Sequence, residues 1–316
     1  MNKSVISLLS IAGVAVALAS CQSAGPKEYP GMPEDIAAEL RDIGPIIEGQ
    51  RTTALYAPQF GPEDYEGKII SRDVAYGPHE RHVLDVFTES NSGSKPVVVF
   101  VHGGGFAGGA KSSPNSPFYD NILNWAVDND MVGVSINYRL IPEVSWPSGI
   151  EDMTRVVNFL VDNIDDYGGD PEQIFLWGHS AGASLVGDYI GWQASHGMED
   201  KVAGGILTTG YYVLGPEVDI WANYYGDDLS TYEERSSLSG LLMSDTPLFA
   251  NDAELDPENF KIDTTQLVEA FEEAGKPLTI VHLKGHSHLS ETYAVGTDDQ
   301  SLSGPVKDFI EGVVGR

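Results

Sequence analysis

Cysteine is almost absent from this chain, with one residue, Cys21, in 316. A lone thiol excludes an intramolecular disulfide, so the fold must be held by a hydrophobic core and by hydrogen bonds. Positive charge is scarce as well: 18 Lys and Arg stand against 47 Asp and Glu, a formal net charge of −29. Such a surface repels a phosphate backbone, which argues against nucleic acid as a partner, and it gains nothing from an anionic bilayer. Acidic clusters such as DNIDDYGGD (162–170) read as solvated surface. Also missing are HExxH or any other ligand spacing among the histidines, and a dinucleotide fingerprint after the first strand. No metal or organic cofactor is therefore called for. No internal repeat and no Pro/Ser-rich linker divides the chain, so its length suits a single α/β sheet.

What is present gathers around one serine. In IFLWGHSAGASL (174–185), the apolar run Gln173 to Trp177 predicts a strand and the residues after Ser180 predict a helix. Ser180 then sits in a tight strand-to-helix turn flanked by Gly178 and Gly182, the G-x-S-x-G pattern of a nucleophile elbow. Upstream, Pro96 to Val101 predict a buried parallel strand that runs into His102-Gly103-Gly104-Gly105. Glycines there leave backbone N–H groups bare, as stabilising an oxyanion requires. A general base belongs near the C-terminal end, after the strand predicted over Lys276 to Leu283, where His286 and His288 stand together. His282 lies inside that strand, and the other five histidines read as surface or turn residues. The acid should follow the strand predicted over Thr246 to Asn251, which leaves Asp252, Glu254 and Asp256 open.

These stretches, together with RHVLDVF (81–87), VHGGGF (101–106), INYRLIPEVSWPSGIED (136–152), GGDPEQIFLWGHSAG (168–182), AELDP (253–257) and GHSH (285–288), resemble the α/β-hydrolase superfamily. The resemblance is to its branch of hormone-sensitive-lipase-like carboxylesterases and kynurenine-formamidase-like enzymes. It implies an α/β-hydrolase fold, a mostly parallel central sheet flanked by helices with a small helical cap. It also selects Asp256 from a Glu-x-Asp turn, and His288 over His286 from a Gly-x-x-His loop. The implied chemistry is ester hydrolysis on a small-molecule substrate. Ser180 attacks, His288 takes its proton, Asp256 steadies the imidazolium, and the N–H groups of Gly104, Gly105 and Ala181 hold the oxyanion. An arylformamidase or peptidase would use the same groups. A non-catalytic envelope-binding lipoprotein would have no purpose for the oxyanion glycines.

The long stretch 211–245 separates two predicted core strands and predicts short helices forming the cap, to which 32–50 can add a helix. The N-terminus, MNKSVISLLSIAGVAVALASC, has an early lysine, a short apolar run and small residues, which predicts a signal peptide over 1–20. LASC (18–21) resembles the lipobox of bacterial lipoproteins, which makes Cys21 the lipidation site, 21–30 a tether and 31–316 the hydrolase domain. Gln22 in place of aspartate points to the outer membrane. With Lys3 removed, the mature chain carries a charge of −30, so attachment would have to come from the lipid.

Overall fold

The computed structural model describes residues 27–198, 200–215 and 223–315. The signal segment, Cys21 and part of the tether lie outside the described residues. Eight strands form one sheet: β1 (Ile69–Ala75), β2 (Val83–Thr88), β3 (Lys95–Val101), β4 (Val132–Ile136), β5 (Gly169–His179), β6 (Gly204–Thr208), β7 (Leu248–Leu255) and β8 (Thr279–Ser287). Their spatial order is β1-β2-β4-β3-β5-β6-β7-β8. The first two pairings, β1 with β2 and β2 with β4, are antiparallel, and the rest are parallel.

Both faces of the sheet are covered, which is why its central strands read as unbroken apolar runs rather than alternating ones. Val97, Val99 and Val101 of β3, with Ile174 and Leu176 of β5, belong to one core layer. There they meet helices α4 (Ser148–Asn163), α5 (Ala181–Ser195) and α6 (Glu258–Ala274). Val98, Phe100, Phe175 and Trp177 belong to the other layer, under α3 (Asp120–Asp128) and α7 (Ser303–Val314). Near the N-terminus, α1 (Glu34–Ile43) packs against β8, and α2 (Gly49–Tyr56) packs against the short helix Ser290–Tyr293.

The parallel register aligns the strand ends. Val101 pairs with Gly178, Gly178 with Leu207, and Thr208 with Asn251. The residues just past these ends, His102 to Gly105, Ser180, Thr209, Asp256 and His288, therefore emerge along the carboxyl edge of one sheet, where open α/β sheets bind ligands.

Candidate active site

Ser180 caps α5 with φ 55° and ψ −126°, a strained conformation for a residue with a side chain. Its N–H donates to Thr208 O at 3.0 Å, and its carbonyl accepts from the N–H groups of Ala183 and Ser184. The glycine of the elbow is dictated by space: a Cβ on Gly182 would lie 2.0 Å from Val101 O, so only glycine lets α5 approach β3 this closely. Gly103 is as constrained from the other side, since a Cβ there would come within 2.9 Å of Ser180 Cβ. The glycine loop thus rests directly against the serine.

Gly103, Gly104, Gly105, Ser180, Ala181 and His288 line one cavity of about 520 Å³, with Tyr119, Tyr211, Phe260, Leu289 and Ile47 as its apolar walls. A larger recess of about 880 Å³ lies beside Ser112 to Pro117. Among the described residues its lining includes no histidine, and Arg72 there is engaged by Asp85 and Asp120.

Each candidate histidine near the C-terminus has its own carboxylate. His288 Nδ1 lies 3.0 Å from Asp256 Oδ1, and both residues are buried. His286 Nε2 lies 3.1 Å from Asp299 Oδ2, and its Nδ1 meets Ser290 Oγ at 3.1 Å. His282 is on the exposed side of β8, with Nδ1 2.6 Å from Asp252 Oδ1. Glu254 accepts from the N–H of Gly285 at 2.8 Å. The structure therefore brings His288 and Ser180 to one cavity, with Asp256 buried behind His288, and leaves Asp252, Glu254 and His286 in other contacts. Phe260 stacks on the His288 ring at 4.3 Å between centroids. His288 Nε2 is buried and makes no hydrogen bond among the described residues; contacts from a catalytic base commonly tighten only when substrate arrives.

Asp256 is well supplied with donors. Its Oδ2 accepts from Ala253 N–H at 2.8 Å and lies 3.1 Å from Thr209 Oγ1. A second buried carboxyl, Glu291, lies 3.1 Å from the same hydroxyl and accepts from Asn251 Nδ2 at 2.7 Å. Burial, and then the charge of Asp256, push its pKa well above the usual value. His179, next to the serine, has Nε2 2.7 Å from His288 O. A carbonyl only accepts, so Nε2 carries the hydrogen. Burial, with His288 nearby, pushes this imidazole well below its ordinary pKa. His102 likewise donates from Nδ1 to Gly103 O at 2.7 Å, and burial lowers it to about 4. Its ring stacks on Tyr138, whose hydroxyl donates to His102 O, so the base of the glycine loop is braced by a neutral imidazole. Among the described residues, His179, His288 and Glu291 bring possible ligand atoms within 4.8 Å of one another. A ring nitrogen of each histidine is already taken up by the hydrogen bonds just given.

Of the other five histidines, His79 and His196 lie in turns as expected, and the expectation is corrected for the remaining three. His82, His102 and His179 are all buried. One ring nitrogen of each is met inside the fold: His82 lies 2.9 Å from Asp152 Oδ1 and His179 2.7 Å from His288 O, both partners remote in sequence, while His102 bonds to the neighbouring Gly103 O. Of the stretch 211–245, Tyr211 lines the cavity. The short helix Leu238–Met243 packs on α5, and 216–222 lie outside the described residues. From the N-terminal stretch, Ile47 reaches the cavity.

Three comparisons bear on the class. Structures of an esterase B from Lactobacillus rhamnosis superpose with a TM-score of 0.69 at 15% identity, covering 89% of this chain and 95% of that one. A hyperthermophilic esterase from Pyrobaculum calidifontis gives 0.64 at 16% identity over 90% and 100%. The eight-stranded, mostly parallel sheet with helices on both faces is the α/β-hydrolase fold. A family model described as BD-FAE matches residues 84–210. Among curated proteins, phenmedipham hydrolase of Pseudarthrobacter oxydans is 38% identical over 44% of this chain and 29% of its own length. A probable isoprenylcysteine alpha-carbonyl methylesterase of Arabidopsis thaliana is 32% identical over 43% of this chain and 31% of its own. Esterase LipQ of Mycobacterium tuberculosis is 25% identical over 77% and 62%. The match thus spans about a third or less of the first two relatives.

Proposed function

We propose that this chain is a serine carboxylesterase that hydrolyses small to medium carboxylic esters through an acyl-enzyme. Ser180 Oγ attacks the ester carbonyl while His288 Nε2 takes its proton. Asp256 holds the imidazole by Nδ1 and stabilises the imidazolium, and the N–H groups of Gly104, Gly105 and Ala181 stabilise the oxyanion. His288 then returns the proton to the leaving alcohol. Water repeats the sequence on the acyl-enzyme and releases the acid.

One observation carries the reading. His288 joins a buried Asp256 at 3.0 Å on one nitrogen and keeps the other unpartnered, on a ring that lines the same cavity as a strained Ser180. The relatives, named as an esterase, a methylesterase and a hydrolase, support the ester class. The 520 Å³ cavity with its apolar walls suits an acyl or alcohol group of modest size. The purified protein should hydrolyse p-nitrophenyl acetate and butyrate faster than N-formylkynurenine or aminoacyl amides. Ser180→Ala should lower kcat by about 10⁴-fold or more. A folded Ser180→Ala variant with wild-type turnover would remove the assignment.

For its location, we propose an outer-membrane lipoprotein anchored through Cys21 and exported by the signal at 1–20, with 21–30 as tether. The lone cysteine at the end of LASC and the acidic surface support this.

A further inference from the structure

Behind His288 lie two buried carboxyls, not one. Asp256 Oδ2 and Glu291 Oε2 each stand 3.1 Å from Thr209 Oγ1, with Asn251 O further off at 3.5 Å. A hydroxyl has one hydrogen to give. Were both acids ionised, they would compete for it, and two negative charges would share a site that no Lys or Arg reaches among the described residues. A buried like-charge pair of this kind holds one proton between its members. The contacts say which member holds it. Asp256 already accepts from Ala253 N–H and pairs with His288 Nδ1, whereas Glu291 Oε1 has no hydrogen-bond partner and Oε2 meets Thr209 and Asn251. A proton on Glu291 Oε2 finds a lone pair of Thr209 Oγ1, and the Thr209 hydrogen then has one place to go, Asp256 Oδ2.

We propose that Glu291 is a protonated positioning residue that orients the Thr209 hydroxyl onto Asp256 and so keeps the triad acid ionised against His288. The inference rests on the reading of Ser180, His288 and Asp256 as a triad. The groups packed around Glu291 agree with it. From β5, His179 is neutral, its Nε2 hydrogen directed at His288 O and 3.5 Å from Glu291 Oε1. From beyond β6, the buried Tyr212 phenol is held protonated. From β7 and the turn after it, Asp252 and Asp256 both oppose a further negative charge. From the loop after β8, His288 stands within 4.8 Å of Glu291 and is a cation only while it holds the Ser180 proton; among the described residues no Lys or Arg pairs with Glu291.

The test uses the full chain in detergent and two independent readouts. The infrared difference spectrum of wild type minus Glu291→Gln at pH 7 should show loss of a protonated carboxyl band; loss of a carboxylate band instead overturns the proposal. In kinetics on p-nitrophenyl acetate, Glu291→Gln, a neutral isostere, should keep kcat within about threefold and leave the acidic limb of kcat/KM in place. Thr209→Val should lower kcat about tenfold with KM little changed, the effect of losing one hydrogen bond to a charged group. It should also move the acidic limb to higher pH, because Asp256 with one donor fewer holds the His288 proton more tightly, and Thr209→Ser should restore both. A hundredfold loss in Glu291→Gln, or a wild-type profile in Thr209→Val, removes the relay. Should the wild type show no esterase activity, the triad reading fails by itself, and the infrared band still decides the protonation of Glu291.

Discussion

His286 and His288 are two residues apart, yet the turn after Ser287 sends their rings to different carboxylates, Asp299 and Asp256. This separates them chemically. His288→Ala should abolish turnover, whereas His286→Ala should leave most of kcat and lower stability by about 1–3 kcal/mol by stranding the buried Asp299. Asp256→Asn should cost about 10⁴-fold in kcat by favouring the wrong tautomer. Asp252→Asn, whose partner His282 is exposed, should cost little. Steady-state kinetics and thermal melts on the four variants check this, and the opposite ranking would exchange the roles. At this scale, Ser180 and its two partners were legible from strand endings, glycine spacing and family likeness. His179, Thr209 and Glu291 were not. Glu291 lies three residues past His288 with no sequence feature that separates it from a surface acid, and its burial depends on strands β5 to β7 closing around it.

The strand-turn-helix unit tolerates its strained centre because both arms are deeply buried. A non-glycine residue held like Ser180 costs on the order of 1–3 kcal/mol. Ile174, Phe175, Leu176 and Trp177 on β5, and Leu185, Val186 and Ile190 on α5, are all essentially fully buried. Each contributes roughly 1.5–3 kcal/mol, so the packing of the arms outweighs the strain several times over. The unit is vulnerable where its backbones touch. Gly182→Ala places a methyl 2.0 Å from Val101 O, and α5 must move off β3. The expected result is a loss of at least about 1–3 kcal/mol and a fall in kcat as Ser180 shifts. Gly312→Ala on α7, where an added Cβ meets nothing within 4 Å, should be neutral or stabilising by up to about 1 kcal/mol. Paired thermal melts decide it: if Gly182→Ala melts no lower than Gly312→Ala, the close approach does not constrain the elbow.

Over the whole molecule, the acidic surface and the N-terminal cysteine belong to one argument. Cleavage before Cys21, as proposed, would leave a charge of −30, which gives no electrostatic help at an anionic bilayer, and a single acyl chain binds only marginally, so stable attachment would need more than one chain. In a Gram-negative host the full-length protein should partition with membranes and take up an alkyne fatty acid, and Cys21→Ser should lose both. Equal labelling of the Cys21→Ser protein would remove the lipid anchor and leave an ordinary secreted protein. The cavity is also a property of the whole chain, since it joins Ile47 from the N-terminal segment to Leu289 near the other end.

The chain alone determined its class of architecture, because apolar runs that end in glycine-rich or acid-bearing turns have few physical uses other than buried parallel strands with chemistry at their carboxyl ends. It also singled out Ser180, whose flanking glycines only a tight turn requires. The tertiary structure alone decided which histidine meets which acid, that His102 and His179 are neutral braces inside the site, and that Glu291 shares a hydroxyl with Asp256. These depend on strand register and on burial, which set distances of a few ångströms between residues as far apart in sequence as His286 and Asp299, 13 positions, and His179 and His288, 109 positions.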